Sequence, residues 1–282
     1  MISSFQELIA PLTQAEFRTI LCARAVTFRR GSGENRFAGL FDWNSFRRII
    51  ESRVLPPEAL TLTKNRSPVP QLNYRERDQL NAEKLLSELD KGASVIVRAL
   101  DPYVPALNAL CADIRAQVGE GIGVSAIITT GTGGALTPHY DTEDLFILQL
   151  EGTKRWRIYG SPMVNPVKGV PKSEAAPQGE PPFNEVVRPG DSLFVPGGYW
   201  HECDNGPGRS LHLAITFPPP CGWYAVQAVL RRLPLEDDLF RVPLTRFAGP
   251  AEEAAHEMAL KTRPINIIRQ ISFSALRPRS GH

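Results

Sequence analysis

Short runs of β-type residues, separated by turn-forming residues, fill the segment from Gly123 to Phe217, and they constrain the fold more than any other feature of the chain. The runs span residues 124–130, 144–150, 155–159, 192–195, 200–203 and 211–217. Gly, Pro and Asn are frequent between them. Many short strands joined by such turns are typical of an antiparallel sandwich or barrel. The sequence therefore predicts a mainly β core in the middle of the chain.

Helical patterns precede this core. Thr13 followed by Glu16 forms a capping-box signature, which predicts a helix over residues 14–23. Asn81 is placed to cap a later helix. Helical spacing predicts another helix between these two, with a buried face formed by Trp43, Phe46, Ile49 and Ile50. The polar, proline-interrupted segment 61–77 is predicted to be a loop or an extended edge.

Further helices border the predicted strands. Asp101 followed by Pro102 is typical of a helix start, with Asp101 as the N-cap. The predicted helix buries an apolar stripe formed by Leu107, Leu110, Cys111, Ile114 and Val118. After the three prolines that end at Pro220 the helical spacing returns, and a second helix is predicted over residues 251–261.

These patterns divide the chain into three regions. We expect residues 1–92 to form a helical and irregular region that packs on the core, and residues 93–220 to form the β domain. Residues 221–282 should form a C-terminal helical region. Each region has the size of an ordinary domain or of a helical segment added to a domain.

Composition excludes several classes of protein. The chain has 282 residues, of which 42% are hydrophobic and 22% charged, as in ordinary globular proteins. No apolar run reaches the roughly 18 residues of a membrane span, and the N-terminus lacks the basic region of a secretory signal. The four cysteines are widely spaced, which argues against a disulfide scaffold or a thiolate zinc site. We therefore expect a cytoplasmic protein without a membrane partner.

The charge is unevenly distributed. The net charge is only +2, but the middle of the chain is acidic and both flanks are basic. This distribution suits a cationic peptide that approaches an acidic site, flanks that contact nucleic acid, or plain solvated surface charge. Of these partners, nucleic acid is the one we do not expect.

Two segments carry candidate metal ligands. One holds His139 and Asp141, and the other holds His201 after two turns rich in Gly and Pro. Side chains two positions apart on a strand point to the same face, so His139 and Asp141 can bind one ion while Tyr140 faces elsewhere. Two imidazoles and one carboxylate form the facial triad of Fe(II) oxygenases, which leaves positions open for a cosubstrate and oxygen. The sequence thus predicts a metal-dependent oxygenase.

Three neighbouring residues leave alternatives open. Glu143 shares strand parity with Asp141, so it is either a second carboxylate of the site or a surface residue. Asp144 is a further carboxylate near the site, so the number of metal ligands stays open. His212, on the last predicted strand, either contacts the site or is a hydrogen-bonded histidine of the core.

Both ligand segments resemble cupin motifs. The second segment matches the second cupin motif at Gly190, Pro196, Gly198, His201 and Asn205. The first segment resembles the first motif from Gly133 to Gly152, with Asp141 where that motif has its second histidine. Apolar Leu145 and Phe146 replace its glutamate. Loss of the fourth ligand leaves the open coordination that an oxygenase requires.

The run from Thr137 to Arg157 resembles the Jumonji-C oxygenases, and among them the ribosomal oxygenases that hydroxylate protein side chains. The resemblance implies a double-stranded β-helix, or jelly-roll, core that binds Fe(II), 2-oxoglutarate and O₂. The implied activity is hydroxylation of an sp³ carbon on a protein or peptide side chain. A helical dimerisation region follows the core in that group, which makes residues 221–282 a candidate element of a homodimer.

The resemblance also implies roles for single residues. In that family a basic residue two positions before the tryptophan binds the distal carboxylate of 2-oxoglutarate, and Lys154 matches this position. Such a cation offsets the desolvation of a buried dianion. Thr216 matches a hydroxyl on the last core strand, and Ser125 matches a polar residue on the strand before the triad. The residues expected to line the substrate entrance are Tyr140 and Trp200.

Other functions stay open at this point. The family carries a larger C-terminal region than residues 221–282 provide, so the substrate is either a protein side chain or a small metabolite or carrier-tethered amino acid. A cupin metalloenzyme that does not use 2-oxoglutarate is a second alternative. A non-catalytic cupin interaction module is the third.

Overall fold

The computed structural model describes residues 2–77, 79–119, 121–161, 163, 165–169, 178–218, 222–242 and 249–270. The chain divides into two compact units, Met1–Pro219 and Pro220–His282. Within the first unit, segments on both sides of the expected boundary after residue 92 contribute strands to one sheet.

Strands dominate the first unit. They are β1 (Thr27–Arg29), β2 (Leu60–Lys64), β3 (Ser67–Pro68), β4 (Arg75–Glu76), β5 (Gln79–Leu80), β6 (Ser94–Val97), β7 (Gly123–Thr129), β8 (Asp144–Glu151), β9 (Lys154–Ile158), β10 (Phe183–Val187), β11 (Ser192–Val195), β12 (His201–Asn205) and β13 (Ser210–Phe217). The six predicted runs correspond to β7, β8, β9, β11, β12 and β13, which confirms them.

Two antiparallel sheets enclose the core. The larger has eight strands in the order β1-β11-β8-β13-β7-β6-β2-β3, and the smaller has three in the order β10-β9-β12. Ile147 of the larger sheet and Trp156 and Ile158 of the smaller sheet belong to one buried apolar cluster, so the two sheets face each other. This arrangement is the predicted mainly β, jelly-roll core, and the fold class is confirmed.

Helices precede and follow the strands along the chain, as predicted. The first unit contains α1 (Phe5–Ile9), α2 (Gln14–Ala23), α3 (Trp43–Ser52), α4 (Ala82–Asp90) and α5 (Pro105–Val118), and the second contains α6 (Gly222–Glu236) and α7 (Pro250–Gln270). The capping box of α2 is present: the Thr13 hydroxyl accepts the Glu16 N–H at 3.2 Å, and the Glu16 carboxylate accepts the Thr13 N–H at 2.7 Å. Asn81 caps α4 by accepting the Lys84 N–H at 3.0 Å.

An aromatic cluster attaches α2 to the larger sheet. The Phe17 ring lies 5.6 Å from Phe146 on β8 and 6.3 Å from Phe194 on β11. It lies 5.9 Å from Phe217 on β13. All four side chains are buried. Complete burial of one large apolar side chain is worth about 1.5–3 kcal/mol, so this contact fixes the position of α2 on the sheet.

The predicted start of α5 is wrong. Residues 101–103 form a 3₁₀ turn, and α5 begins at Pro105. A proline disfavours the helical conformation at the residue before it, and Val104 is extended with φ −126° and ψ 107°. The helix therefore cannot pass through Val104. Asp101 has another role: its carboxylate accepts from Arg115 at 2.6 Å and from the Val124 N–H at 3.3 Å.

Two smaller predictions differ in outcome. Of the two alternatives for segment 61–77, the extended edge is observed at its start, because β2 pairs with β6 and with the terminal strand β3 of the larger sheet. Leu60 and Leu62 are buried on either side of Thr61, which is the period-two pattern of a half-buried strand. Val118, predicted to be buried, is 41% exposed because α5 ends there.

The second unit contains the two predicted C-terminal helices. Helix α7 is longer than the expected range of 251–261 and continues through Pro264 to Gln270. Among the described residues, no helix combines the length and the apolar character required to cross a membrane.

The capping box predicts a measurable stability effect. Thr13→Ala removes the oxygen that accepts the Glu16 N–H, and it should lower the free energy of unfolding by about 1 kcal/mol. Chemical denaturation followed by circular dichroism measures the change. The matched control is Thr19→Ala in the same helix, where the hydroxyl is exposed and the loss should stay within roughly 0.5 kcal/mol. Equal losses in both variants would contradict the capping role.

Candidate metal centre

Three side chains form a cluster that fits one metal ion. His139, Asp141 and His201 each place one ligand atom within 4.8 Å of the others. Asp141 Oδ2 lies 3.9 Å from His139 Nε2 and 3.6 Å from His201 Nε2. In the part of the chain that the structure describes, this is the one cluster of His, Cys, Asp and Glu with metal-binding spacing. Two imidazoles and a carboxylate are a donor set that Fe(II) accepts.

Backbone carbonyls orient both imidazoles. His139 Nδ1 lies 2.8 Å from the Thr137 carbonyl oxygen, and His201 Nδ1 lies 3.0 Å from the Tyr199 carbonyl oxygen. A proton on Nδ1 donates to the carbonyl, which leaves Nε2 as the ligand atom. In both histidines the acceptor is two residues earlier in the chain. The rings are therefore held in the orientation in which Nε2 of each faces the Asp141 carboxylate.

Backbone pairing brings the two ligand segments together. His139 and His201 form an isolated antiparallel bridge, in which the His201 N–H donates at 2.7 Å and the His139 N–H at 3.1 Å. The Gly198 N–H donates to the Asp141 carbonyl at 2.8 Å. The two imidazole rings lie with their centroids 4.5 Å apart.

The turn before His201 requires glycine. Gly198 has φ +92°, and a Cβ there would lie 2.3 Å from the Met163 carbonyl oxygen. A Cβ on Gly197 would lie 2.7 Å from the Thr142 carbonyl oxygen. A side chain at Gly197 would separate the turn from the segment that carries Asp141, and one at Gly198 would clash with residues 161, 163 and 166. The predicted role of the Gly-rich turn, which is to aim His201, agrees with this packing.

A cavity of about 630 Å³ opens beside the triad. Ser125 and Thr216 both line it, on the neighbouring strands β7 and β13. The Thr216 hydroxyl donates to the Gly123 carbonyl at 3.1 Å. Glu143 also lines the cavity and accepts from the Thr142 hydroxyl, but it is outside the metal cluster. The roles of Ser125 and Thr216 toward a cosubstrate stay predictions.

Lys154 is a buried cation in the barrel. Its side chain is 1% exposed, and Nζ donates to the Thr129 hydroxyl at 2.9 Å. It forms no ion pair with any residue that the structure describes. On β9 it shares a face with Trp156, which lines the cavity. Burial lowers the pKa of Lys154, since the charged form loses its hydration.

The cavity wall contains buried polar atoms on His212 and Trp156. His212 lines the cavity and packs edge-on against Trp156, with ring centroids 5.5 Å apart. Neither His212 Nδ1 nor Trp156 Nε1 has a hydrogen-bond partner among the described residues. Burial holds the pKa of His212 well below its ordinary value, so the ring is neutral. Of the two alternatives for His212, the position in the wall of the site is the one observed.

Tyr140 and Trp200 lie behind the ligands. Both are buried, and their rings pack edge-to-face with centroids 5.4 Å apart. Neither is among the residues that line the cavity. Their contact with a substrate stays a prediction, while their packing against each other supports the segments that carry His139 and His201.

Sequence reasoning missed the role of one buried carboxylate. Asp144, considered above as a further ligand, is 1% exposed and lies outside the metal cluster. It accepts from Arg24 at 2.5 and 2.6 Å and from the Gly197 N–H at 2.8 Å. An aspartate at the start of an otherwise apolar run was the available signal, but its partner is 120 residues away in the chain.

Comparisons with known proteins agree with this geometry. Residues 106–222, which include all three triad residues, match the family model described as a JmjC domain. Over 131 residues the chain is 32% identical to the bifunctional lysine-specific demethylase and histidyl-hydroxylase NO66 of Drosophila mojavensis, covering 44% of this chain and 15% of that protein. It is 27% identical over 223 residues to human ribosomal oxygenase 1, covering 75% of this chain and 34% of that protein. The chain therefore spans less than half the length of these relatives.

Solved structures include a similar fold. The crystal structure of the ribosomal oxygenase YcfD from Escherichia coli superposes with a TM-score of 0.59, covering 93% of this chain and 68% of that one. The two chains are 18% identical, so this likeness concerns the fold. With the family match and the placement of the triad, it shows what the chain is similar to. Residues 106–222 resemble a JmjC domain, in a chain whose relatives include ribosomal oxygenase 1 and NO66.

Proposed function

We propose that this protein is an Fe(II)- and 2-oxoglutarate-dependent oxygenase that hydroxylates an sp³ carbon of a protein or peptide side chain. The observation that carries the proposal is the open three-donor cluster of His139, Asp141 and His201 beside a cavity. Three protein ligands leave coordination positions for a cosubstrate and for oxygen. A cupin enzyme without a cosubstrate would not need Lys154, a buried cation in the same barrel.

Lys154 supports 2-oxoglutarate as the cosubstrate. A lysine that is buried without a carboxylate partner is costly, and an anionic ligand offsets that cost. 2-Oxoglutarate has one end that chelates a metal and a second carboxylate at the other end. We assign the second carboxylate to Lys154, with Ser125 and Thr216 as further polar contacts. YcfD, which has the same fold, has been crystallised with cobalt and 2-oxoglutarate.

The residues of the site have separate roles in the reaction. When bound, Fe(II) and 2-oxoglutarate activate O₂, so that one oxygen atom enters succinate and the other the hydroxylated substrate, with release of CO₂. The triad fixes the position of that chemistry, and Lys154 fixes the cosubstrate. The apolar walls formed by Leu145, Ile147 and Trp156 keep water away from the reacting groups.

The names of the relatives support a protein substrate. Human ribosomal oxygenase 1 and the NO66 histidyl-hydroxylases are the relatives described above. A cavity of about 630 Å³ holds a small cosubstrate together with one extended side chain. We therefore prefer a protein or peptide side chain over a free metabolite. Mass spectrometry of ribosomal proteins treated with the enzyme should find the gain of one oxygen atom on a side chain, and that gain should require 2-oxoglutarate.

We also propose a cytoplasmic location. Cys22, Cys111 and Cys203 are all unpaired thiols. Free thiols persist in reducing compartments. Fractionation of cells that produce the protein should find it with the cytosolic proteins.

Removal of a triad ligand tests the proposal directly. His139→Ala leaves two donors, so metal affinity should fall and succinate formation from 2-oxoglutarate should drop to background. Calorimetric titration with Co(II) and a succinate assay with Fe(II) measure the two effects. His256→Ala, in α7, is the control and should change neither. Unchanged succinate formation in His139→Ala would contradict the assigned metal centre.

Lys154 distinguishes the cosubstrate enzyme from other cupins. Lys154→Ala should weaken 2-oxoglutarate binding about 10- to 100-fold, since a hydrogen bond to a charged group is worth roughly 1.5–3 kcal/mol. Metal affinity should be unchanged, and Lys154→Arg should retain part of the activity. The matched control is Lys168→Ala, which removes an exposed lysine that lines the cavity. Normal 2-oxoglutarate turnover in Lys154→Ala would favour a cupin enzyme that does not use it.

We further propose that the C-terminal helices form a homodimer contact. On α6, Trp223 and Leu230 are exposed, and on α7, Met258 and Ile265 are exposed. Each pair is two helical turns apart and shares a face. Light scattering should give a dimer mass for the wild-type protein and a monomer mass for Trp223→Gln with Leu230→Gln. The control is Arg231→Gln, which changes an exposed polar residue next to Leu230 and should stay dimeric. A monomeric wild-type protein would contradict the contact.

A further inference from the structure

One buried ion pair joins the N-terminal helices to both ligand segments. Asp144 accepts two hydrogen bonds from Arg24, at 2.5 and 2.6 Å, and one from the Gly197 N–H, at 2.8 Å. The exposed fractions of the two side chains are 16% for Arg24 and 1% for Asp144. A buried carboxylate needs this full set of donors, because an unpaired charge is very costly to bury.

Helix α2 positions Arg24 for this contact. The capping box fixes the start of α2, and Phe17 anchors its middle on the larger sheet. The helix ends at Ala23, and the next residue, Arg24, has the left-handed conformation with φ 52°. The chain therefore reverses at Arg24 while the guanidinium extends to Asp144 on β8.

Arg24 contacts both stretches that carry metal ligands. Its Nη2 donates to the Gly197 carbonyl at 3.0 Å, and its own carbonyl accepts from the Tyr199 hydroxyl at 2.8 Å. The Tyr199 carbonyl is in turn the acceptor that faces His201 Nδ1. On the other side, Asp144 follows three residues after the ligand Asp141.

We propose that the Arg24–Asp144 pair is a positioning element of the metal centre, which holds the two ligand segments in register so that their three donors stay within reach of one ion. The inference rests on the proposed metal site, but not on the substrate or on 2-oxoglutarate. The contacts described for Arg24 and Asp144 are with Gly197, with Tyr199 and with each other. The pair acts through the backbone of Gly197 and Gly198, since the Gly198 N–H donates to the Asp141 carbonyl at 2.8 Å.

If the pair positions the metal ligands, its removal should lower metal affinity by more than the loss of folding stability alone would explain. Replacement of residues that support metal ligands typically costs 10- to 100-fold in affinity. Asp144→Asn keeps the size of the side chain and removes the charge that Arg24 binds. Co(II) affinity should therefore fall about 10- to 100-fold, and the visible absorption of the Co(II) protein should change in shape as the ligand geometry relaxes.

The chain offers a matched control. Asp191, at the opposite end of β11 from Gly197, is also buried and accepts from the Gly31 and Arg188 N–H groups and from Arg30. Asp191→Asn breaks a similar set of hydrogen bonds away from the triad. It should lower the unfolding temperature as Asp144→Asn does, while Co(II) affinity and the Co(II) spectrum stay as in the wild-type protein.

Titration of the full chain with Co(II) decides between the outcomes. Loss of affinity in Asp144→Asn with normal affinity in Asp191→Asn supports the positioning role. Equal affinity in the two variants overturns it and leaves the proposed function intact, whereas a wild-type protein that binds no Co(II) overturns both. Should Asp144→Asn fail to fold, Arg24→Gln removes the pair from the other side and should give the same loss, and Arg24→Lys should restore part of it.

Discussion

The metal centre depends on a pair of backbone hydrogen bonds between His139 and His201. These two residues are distant in sequence, and no side-chain attraction between two imidazoles would bring them together. The antiparallel bridge sets the ring centroids 4.5 Å apart, and strand parity then places Asp141 on the same side as His139. The chemistry of the site is thus a consequence of strand register, and a register shift of one residue would turn the donors away from each other.

The interior of the barrel is more polar than a core that serves stability alone requires. Among the residues that the structure describes, Lys154 is buried without a carboxylate partner, and the neutral His212 and the indole of Trp156 present nitrogen atoms without a hydrogen-bond partner. Each such group reduces the stability of the folded protein. The apolar cluster between α2 and the larger sheet offsets this cost outside the barrel, at Phe17 and its three aromatic neighbours. The aromatic contacts that stabilise the fold therefore lie outside the barrel, and the polar groups that can bind ligands lie inside it.

Much of the fold and the triad could be predicted from sequence because the signals are local. Short runs of β-type residues between turn-forming residues predict strands, and the spacing of Gly190, Pro196, Gly198 and His201 predicts the turn that aims a ligand. The start of α5 was mispredicted because Asp101 and Pro102 form a strong local signal, while Pro105 excludes a helix at Val104. Arg24 was beyond prediction, since nothing near it in sequence indicates a partner on β8. The wall position of His212 likewise depends on how the strands close around the cavity.

Anaerobic titration of the metal-free protein with Fe(II) and 2-oxoglutarate tests the central claim most directly. Fe(II) held by three protein donors has room for a chelating keto acid, and such a complex absorbs weakly in the visible range through charge transfer from metal to ligand. The account predicts that this band appears only when both are present and saturates at one equivalent of each. A protein that binds Fe(II) but gives no band with 2-oxoglutarate would contradict it.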